Sequence, residues 1–356
     1  MRIKILLFVS FFATLITLQA QSIIAKINFQ NKNLIFGSLN KNLYSLNIDT
    51  KNTNWVFNAE NEIYSQAEIK ENKIFIGDGN AMVYCVGADG KQIWKINLGT
   101  YSPIANKPTL VDNNLYVTSA SSLFILDPRD GSTLGKFYAD APISSPVSFK
   151  DNSIFIGDTK GKIYKLSLQG SLVESYQCAS AGVFGKIVVD QNNLFFGSND
   201  MNFYKFNLDE KKVVAKIITN EWISSTPAID GNFIFFGNDG GFFYCLDKTT
   251  MTTRWKFKAN ASTCTESLII GNKIFFGSDD KNLYVLDKAT GKLIKKFPAK
   301  GKIKSSPVLI ENAIYFADES GEVYKISTDL ATIKSIFKAT RENSNTSPKV
   351  IETAKK

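Results

Sequence analysis

The sequence predicts an all-β chain, an eight-bladed β-propeller of four-stranded antiparallel blades, with seven blades as the alternative. Three observations carry this. First, Tyr recurs at 44, 84, 164, 204, 244, 284 and 324, with Phe124 at the missing step, so one period of 40 residues runs eight times. Second, other registers keep the same phase. Leu46, Val86, Leu126, Leu166, Phe206, Leu246, Leu286 and Ile326 are apolar, as are Phe36, Ile76, Tyr116, Ile156, Phe196, Phe236, Phe276 and Phe316. Gly follows the latter position at 37, 77, 157, 197, 237 and 277, with Val117 and Ala317 as exceptions. Third, runs such as "NLIFG", "KIFIG", "NLFFG" and "FIFFG" are apolar on successive positions instead of alternating, so both faces of these strands must be covered. Radially packed sheets, each between two neighbours, cover both faces, and repetition around a ring protects the edges.

The copy around Ile274–Phe297 gives the elements of one unit. The expected strands are Ser267–Gly271, Lys273–Ser278, Asn282–Asp287 and Lys292–Phe297, joined by the turn-forming links "GN", "DDK" and "KATG". "ATGKL" therefore lies in a hairpin. A phosphate loop needs a strand, a longer glycine loop and a helix N-terminus, and none of these is present. Copy one is expected to start with a strand near Ile24–Phe29, and copy eight to end near Ile333–Phe337. Both ends fall on whole blades, so closure is expected to rest on packing of blade eight against blade one. The propeller domain is assigned to 22–338, and the polar stretch 339–356 is expected to be a disordered tail.

Arg2 and Lys4 precede an apolar stretch, Ile5–Leu18, and Ala20 precedes Gln21. Residues 1–20 read as a cleaved signal peptide, because the apolar run falls short of the ~20 residues that span a bilayer. The expected address is exported, either periplasmic or secreted, with no transmembrane segment after cleavage. The first cysteine is Cys85, so none lies near the cleavage point to take a lipid anchor. The formal net charge is +9, but the lysines are scattered, mostly at turns. That reads as a solvated surface, with attraction to anionic envelope material as the sharper alternative. With no basic stripe, a nucleic-acid partner is not expected.

The chain contains no histidine. This removes Ser-His-Asp and Cys-His nucleophile systems and most zinc or haem ligation. Cys85 and Cys245 share one phase four blades apart, too far for a disulfide, and read as core fillers of the third strand. Cys178 and Cys264 fall in non-neighbouring blades, and only Cys245–Cys264 is close enough in sequence to consider pairing. Asp78, Asp158, Asp318 and Glu319 fall at blade turns, but no copy stands out as a calcium constellation. No catalytic, cofactor-binding or metal-ligating residue is assigned. Tyr44, Tyr84, Phe124, Tyr164, Tyr204, Tyr244, Tyr284 and Tyr324 read as packing between blades. Trp222 differs, since it falls in "NEWISST", a link between blades, where loops reach one propeller face. Tyr64, Tyr101 and Phe184 occupy comparable links. These four are the candidate partner-contact residues.

Two further signals accompany the period. Trp55, Trp94 and Trp255 each follow a turn residue (Lys51, Gly90, Met251) by four places, and "LDKATGKLIKK" repeats the layout with Lys295 in the Trp place. Ser144-Ser145-Pro146, Ser225-Thr226-Pro227 and Ser305-Ser306-Pro307 recur before the second strand. These residues resemble the pyrroloquinoline-quinone-like (quinoprotein-like) propeller repeat, and the resemblance runs from Ile24 to about Phe337. The family contains quinone-dependent dehydrogenases and non-catalytic scaffolds, among them the propeller lipoprotein of the outer-membrane β-barrel assembly machinery. For the first branch the resemblance implies quinone and calcium held by Asp, Glu and Asn, often beside an adjacent Cys-Cys disulfide. This chain has no adjacent cysteine pair, and its near-constant units leave little material for a substrate cap.

The expectation is therefore a monomeric, non-enzymatic, cofactor-free scaffold. It binds an envelope protein through one face, with the β-barrel assembly machinery as the candidate partner. Lacking the lipidated cysteine, it would be held by that partner. The alternative is a quinone- or saccharide-binding propeller, including a quinone-dependent dehydrogenase.

Overall fold

The computed structural model describes residues 22–340. The segment read as a signal peptide and residues 341–356 lie outside the described residues. Eight antiparallel sheets of four strands each follow one another in chain order, the architecture predicted over seven blades. Blade one consists of Asn28–Gln30, Asn33–Gly37, Asn42–Asn47 and Thr53–Asn58. Blade eight consists of Val308–Ile310, Ala313–Ala317, Glu322–Ser327 and Ile333–Lys338. The strands of the copy around Ile274–Phe297 are Leu268–Ile270, Lys273–Gly277, Asn282–Asp287 and Leu293–Pro298. The first strands are shorter than predicted. Blade one's begins at Asn28 because Ile24 and its neighbours belong to the link that precedes it.

The burial pattern follows strand position. Second strands are buried on successive residues, as in Leu34–Gly37, whereas fourth strands such as Gln92–Asn97 are largely exposed. Eight apolar cores lie between blades, not within them. One, for example, joins Ile35, Leu43 and Trp55 of blade one to Ile74, Ile76 and Tyr84 of blade two. Cys85, Cys178 and Cys245 are buried, and all four cysteines are free thiols.

The recurrent glycine marks where one blade meets the next link. A β-carbon on Gly37 would lie 2.3 Å from Ile63 Cγ2, and one on Gly277 would lie 2.4 Å from Ile303 Cγ2. The link residue also donates its N–H to the turn after the second strand: Ile63 to Ser38 O at 3.2 Å, Ile223 to Ser198 O at 3.2 Å and Ile303 to Ser278 O at 3.2 Å. The recurrent serine serves the same backbone. Ser225 Oγ accepts from Gly237 N at 3.1 Å and donates to Gly237 O at 2.7 Å, and Ser305 does this for Ala317. The short first strand leaves those groups without a ladder partner, and a buried unpaired backbone group is costly.

Closure repeats the same device. Ile23 donates its N–H to Asp318 O at 3.3 Å, and Ser22 Oγ donates to Glu319 O at 2.7 Å. Ile23, Ile27, Phe36 and Tyr44 share a core with Tyr315, Ala317, Val323 and Ala339. Among the described residues, no sheet mixes strands from blade one and blade eight. Packing of blade eight on blade one therefore closes the ring. Ala339, expected to open the tail, is instead buried, and its N–H bonds Gly321 O at 2.8 Å.

The outer rim carries a second joint. Trp55, Trp94 and Trp255 reach the next blade, where their Nε1–H groups donate to Ala88 O, Pro128 O and Lys288 O at 2.9, 3.2 and 3.0 Å. Their rings cover Gly90, Gly131 and Gly291, positions where a β-carbon would lie 2.5–2.8 Å from the indole. Lys295, in the Trp place, donates instead to Leu330 O.

Candidate functional site

Links between blades and the turns after second strands share one face. Asp239 N–H bonds Trp222 O, and Glu319 N–H bonds Lys302 O, both at 2.9 Å. Two places on this link face carry exposed aromatic groups. Tyr101 is 87% exposed and Trp222 53%. Tyr101 sits in the link between blades two and three, whose eleven residues (98–108) exceed the nine or ten of the other links between blades. It is held at φ 53°, the left-handed region that a bulky residue enters only at a cost. Around blade five, Met201, Ile218 and Trp222 are exposed, together with Phe184 on the link leading into it.

The same links turn inward to line an axial lumen of about 530 Å³. Tyr64 and Phe184 are on its wall, with Lys26, Lys107, Lys186 and Lys304 and one carboxylate, Glu266. Of the four predicted partner-contact residues, Tyr64 is half-buried and faces the lumen, Phe184 lies at the lumen and is 41% exposed, and Tyr101 and Trp222 are outside it. They do not form one aromatic patch, because Tyr64 turns to the axis. Cys264 also lines the lumen. Its Sγ donates to Asp239 Oδ1 at 2.8 Å, and burial pushes the thiol up to about 11, so it is protonated at neutral pH.

The predicted aromatic register is buried in every blade. Three of its hydroxyls tie a blade to the link before it. Tyr84 OH donates to Asp78 Oδ2 at 3.0 Å and accepts from Glu60 N at 3.0 Å. Tyr164 does the same with Asp158 and Asp140 N, and Tyr324 with Asp318 and Lys300 N. Asp78, Asp158 and Asp318 are fully occupied there. Asp78 Oδ1, for instance, accepts the Asn80 and Met82 N–H groups at 2.9 and 3.0 Å.

That occupancy bears on the calcium and quinone implied by the quinoprotein resemblance. Among the described residues, no three of His, Cys, Asp or Glu come together as a metal-holding group. The turn aspartates spend their oxygens on backbone and tyrosine, and the lumen is lined by lysines. Calcium takes six to eight oxygen ligands with carboxylates prominent, so this donor set does not fit it.

The lysines of the lumen were not singled out in the sequence, where they read as scattered surface charge. The repeat phase was the available signal. Lys26, Lys107 and Lys186 occupy the same place, just before the first strand, in three blades.

Comparison with known proteins supports the architecture. The family model described as "Outer membrane protein assembly factor BamB" matches residues 39–257, more than half of the chain. No curated protein matches it by sequence. Among solved structures, BamB from Moraxella catarrhalis superposes with a TM-score of 0.73 at 18% identity, covering 86% of this chain and 98% of that one. The computationally designed Ika8 protein gives 0.74 at 16% identity, covering 86% and 96%. Quinohemoprotein alcohol dehydrogenase from Comamonas testosteroni gives 0.72 at 10% identity, covering 87% and 71%. At such identities the structural likeness speaks for the fold alone. The matched family model and the eight-bladed ring place this chain in the pyrroloquinoline-quinone-like β-propeller family that includes the outer-membrane assembly factor BamB.

Proposed function

We propose that the protein is an exported, non-enzymatic scaffold of the cell envelope that binds a protein partner through its link face, within outer-membrane protein assembly. The observation that carries this reading is the exposure of Tyr101 and Trp222 on that face, in a chain that buries its repeat aromatics. Exposed Tyr and Trp anchors suit protein recognition because they bring large apolar area and a polar handle. Tyr101's left-handed backbone presents the ring outward at an energetic cost that packing of the free chain does not recover. The family description supports the pathway, and the lumen's lysine-rich lining, unsuited to calcium, supports a role without calcium-dependent quinone chemistry. The apolar opening of the chain, Ile5–Leu18, supports export. Among the described residues no helix is long and apolar enough to cross a membrane.

The test is affinity capture of the mature chain, tagged after Lys356 and crosslinked in its native envelope. Enrichment of a β-barrel assembly protein that falls at least tenfold with Y101A/W222A supports both partner and face. Enrichment unaffected by the double variant moves the contact off this face. Recovery of nothing above background overturns the scaffold reading.

A further inference from the structure

The seam that closes the ring lacks the rim joint found elsewhere. Where a tryptophan makes that joint, it pairs with the middle of the third strand, as Trp55 does with Ser45 and Trp255 with Cys245. Its indole lies against a ring of its own second strand, with centroids 5.9 Å apart for both Trp94–Phe75 and Trp255–Phe235. Two seams without a tryptophan fill the place with a buried turn residue of the next blade, Met251 or Leu330. The closing seam has neither device. In blade eight the bulge lies elsewhere in the ladder, so Lys334 holds the tryptophan's pairing place, opposite Lys325. Lys334 is exposed, and so is Lys51, the turn residue of blade one. A groove of about 320 Å³ is left between the two blades.

The groove contains a hydroxyl that no other blade provides. The register place of Tyr315 is Phe in five blades, Ile35 in blade one and Leu115 in blade three. Tyr315 is 1% exposed and lines the groove, yet its hydroxyl makes no hydrogen bond among the described residues. A buried polar group without a partner is costly, and a ligand oxygen that accepts from it recovers that cost. Ile310, Ala313 and Ile336 supply apolar wall around it. The half-buried Lys325 places its ammonium 5.6 Å from the Tyr315 ring centroid and makes no ion pair among the described residues.

We propose that the closing seam binds a small planar aromatic carboxylate of about indole's size. Its ring lies against Tyr315, as the indoles lie against Phe75 and Phe235, and its carboxylate accepts from the Tyr315 hydroxyl with Lys325 as the neighbouring cation. Aromatic neighbours favour a planar ring, and an ammonium over a ring face adds to this. The volume falls at the lower end of small-molecule sites, which suits a bicyclic ring. The groove shares no lining residue with the lumen, and the inference does not rest on the scaffold reading.

The test titrates the purified mature chain with 2-naphthoate at constant ionic strength, following melting temperature and heat. Indole is the neutral aromatic control and cyclohexanecarboxylate the non-aromatic one. A ligand of the native state must raise stability in a saturable way. The expected result is saturable stabilisation by 2-naphthoate, weakened about tenfold or more in Y315F, which removes a hydrogen bond to a charged group. Both controls are expected to bind more weakly than 2-naphthoate. K51G/K334W, which supplies an indole from the chain itself, is expected to lose the response. Y315F removes a hydroxyl without a partner and installs the residue other blades use, so the free variant is expected to melt no lower than wild type. Lack of saturation with 2-naphthoate overturns the site, as does an equal response in wild type and Y315F, or equal binding of either control. Y101A/W222A is expected to keep the response, which separates failure of this site from failure of the scaffold reading.

Discussion

Ile223 lies over Gly197 so closely that a β-carbon on the glycine would sit 2.1 Å from Ile223 Cγ2. The same seating recurs at Gly37 with Ile63, Gly77 with Ile104 and Gly277 with Ile303, so the glycine register is a register of blade-to-blade approach. Gly197→Ala is therefore expected to destabilise the fold by about 1–3 kcal/mol through overpacking. Gly231, at φ 57° with nothing within 4 Å of its would-be β-carbon, is expected to accept Asn nearly neutrally. Urea unfolding midpoints of the two variants check the contrast.

The rim joints should be separable from the axial ones. Trp255→Ala removes an indole that covers Gly291 and bonds Lys288 O, and is expected to cost about 3–5 kcal/mol. The converse change needs two substitutions. Lys295→Trp alone meets Leu330, which occupies the glycine's place at φ 63° and is buried. Lys295→Trp with Leu330→Gly is expected to raise the melting temperature above either single variant, measured by calorimetry.

Tyr164→Phe is expected to cost about 1–3 kcal/mol, because it leaves the buried Asp158 carboxylate and the Asp140 N–H each short of one partner. Tyr244 makes no such hydroxyl bridge among the described residues, so Tyr244→Phe should cost less. Paired denaturation curves give the difference.

Alkaline pH should weaken the ring. Burial raises the pKa values of Tyr84, Tyr164, Tyr204, Tyr284 and Tyr324 above the ordinary tyrosine value of 10.0. Above that value the unfolded chain has released protons that the folded chain retains. Stability is thus whole below about pH 10 and falls as pH rises further, by about 1.4 kcal/mol per unit for each such tyrosine. Unfolding midpoints between pH 9 and pH 11 check the sign; a flat profile contradicts it. The thiols move the same way: burial pushes Cys85 up to about 11 and Cys245 up to about 12. At pH 8 the native chain is expected to react slowly with a thiol reagent, with Cys264 first.

Much of the architecture was legible because a propeller repeats its demands. The Tyr register, the glycine that follows Phe36 and its counterparts, and the Trp of the outer strands each recur at the period of a blade, and each proved to serve an interface that recurs at the same period. The candidate site was less legible. Tyr64 and Trp222 look alike as link aromatics, yet one turns to the axis and the other to solvent. Two residues of link separate those directions, and no local propensity records them.

The sequence by itself pointed to eight blades over seven, to the strands that are buried on both faces, and to closure by packing, because 40-residue periodicity and continuous apolar runs follow directly from a radial stack of sheets. Only the tertiary structure decided why the glycines are there, where Ala339 goes, and which lysines meet at the axis. Lys26 and Lys186 are four blades apart in sequence, and only closing the ring puts their charges into one lumen. Periodicity specifies what each blade does to its neighbour; it does not state what eight links present to a common centre.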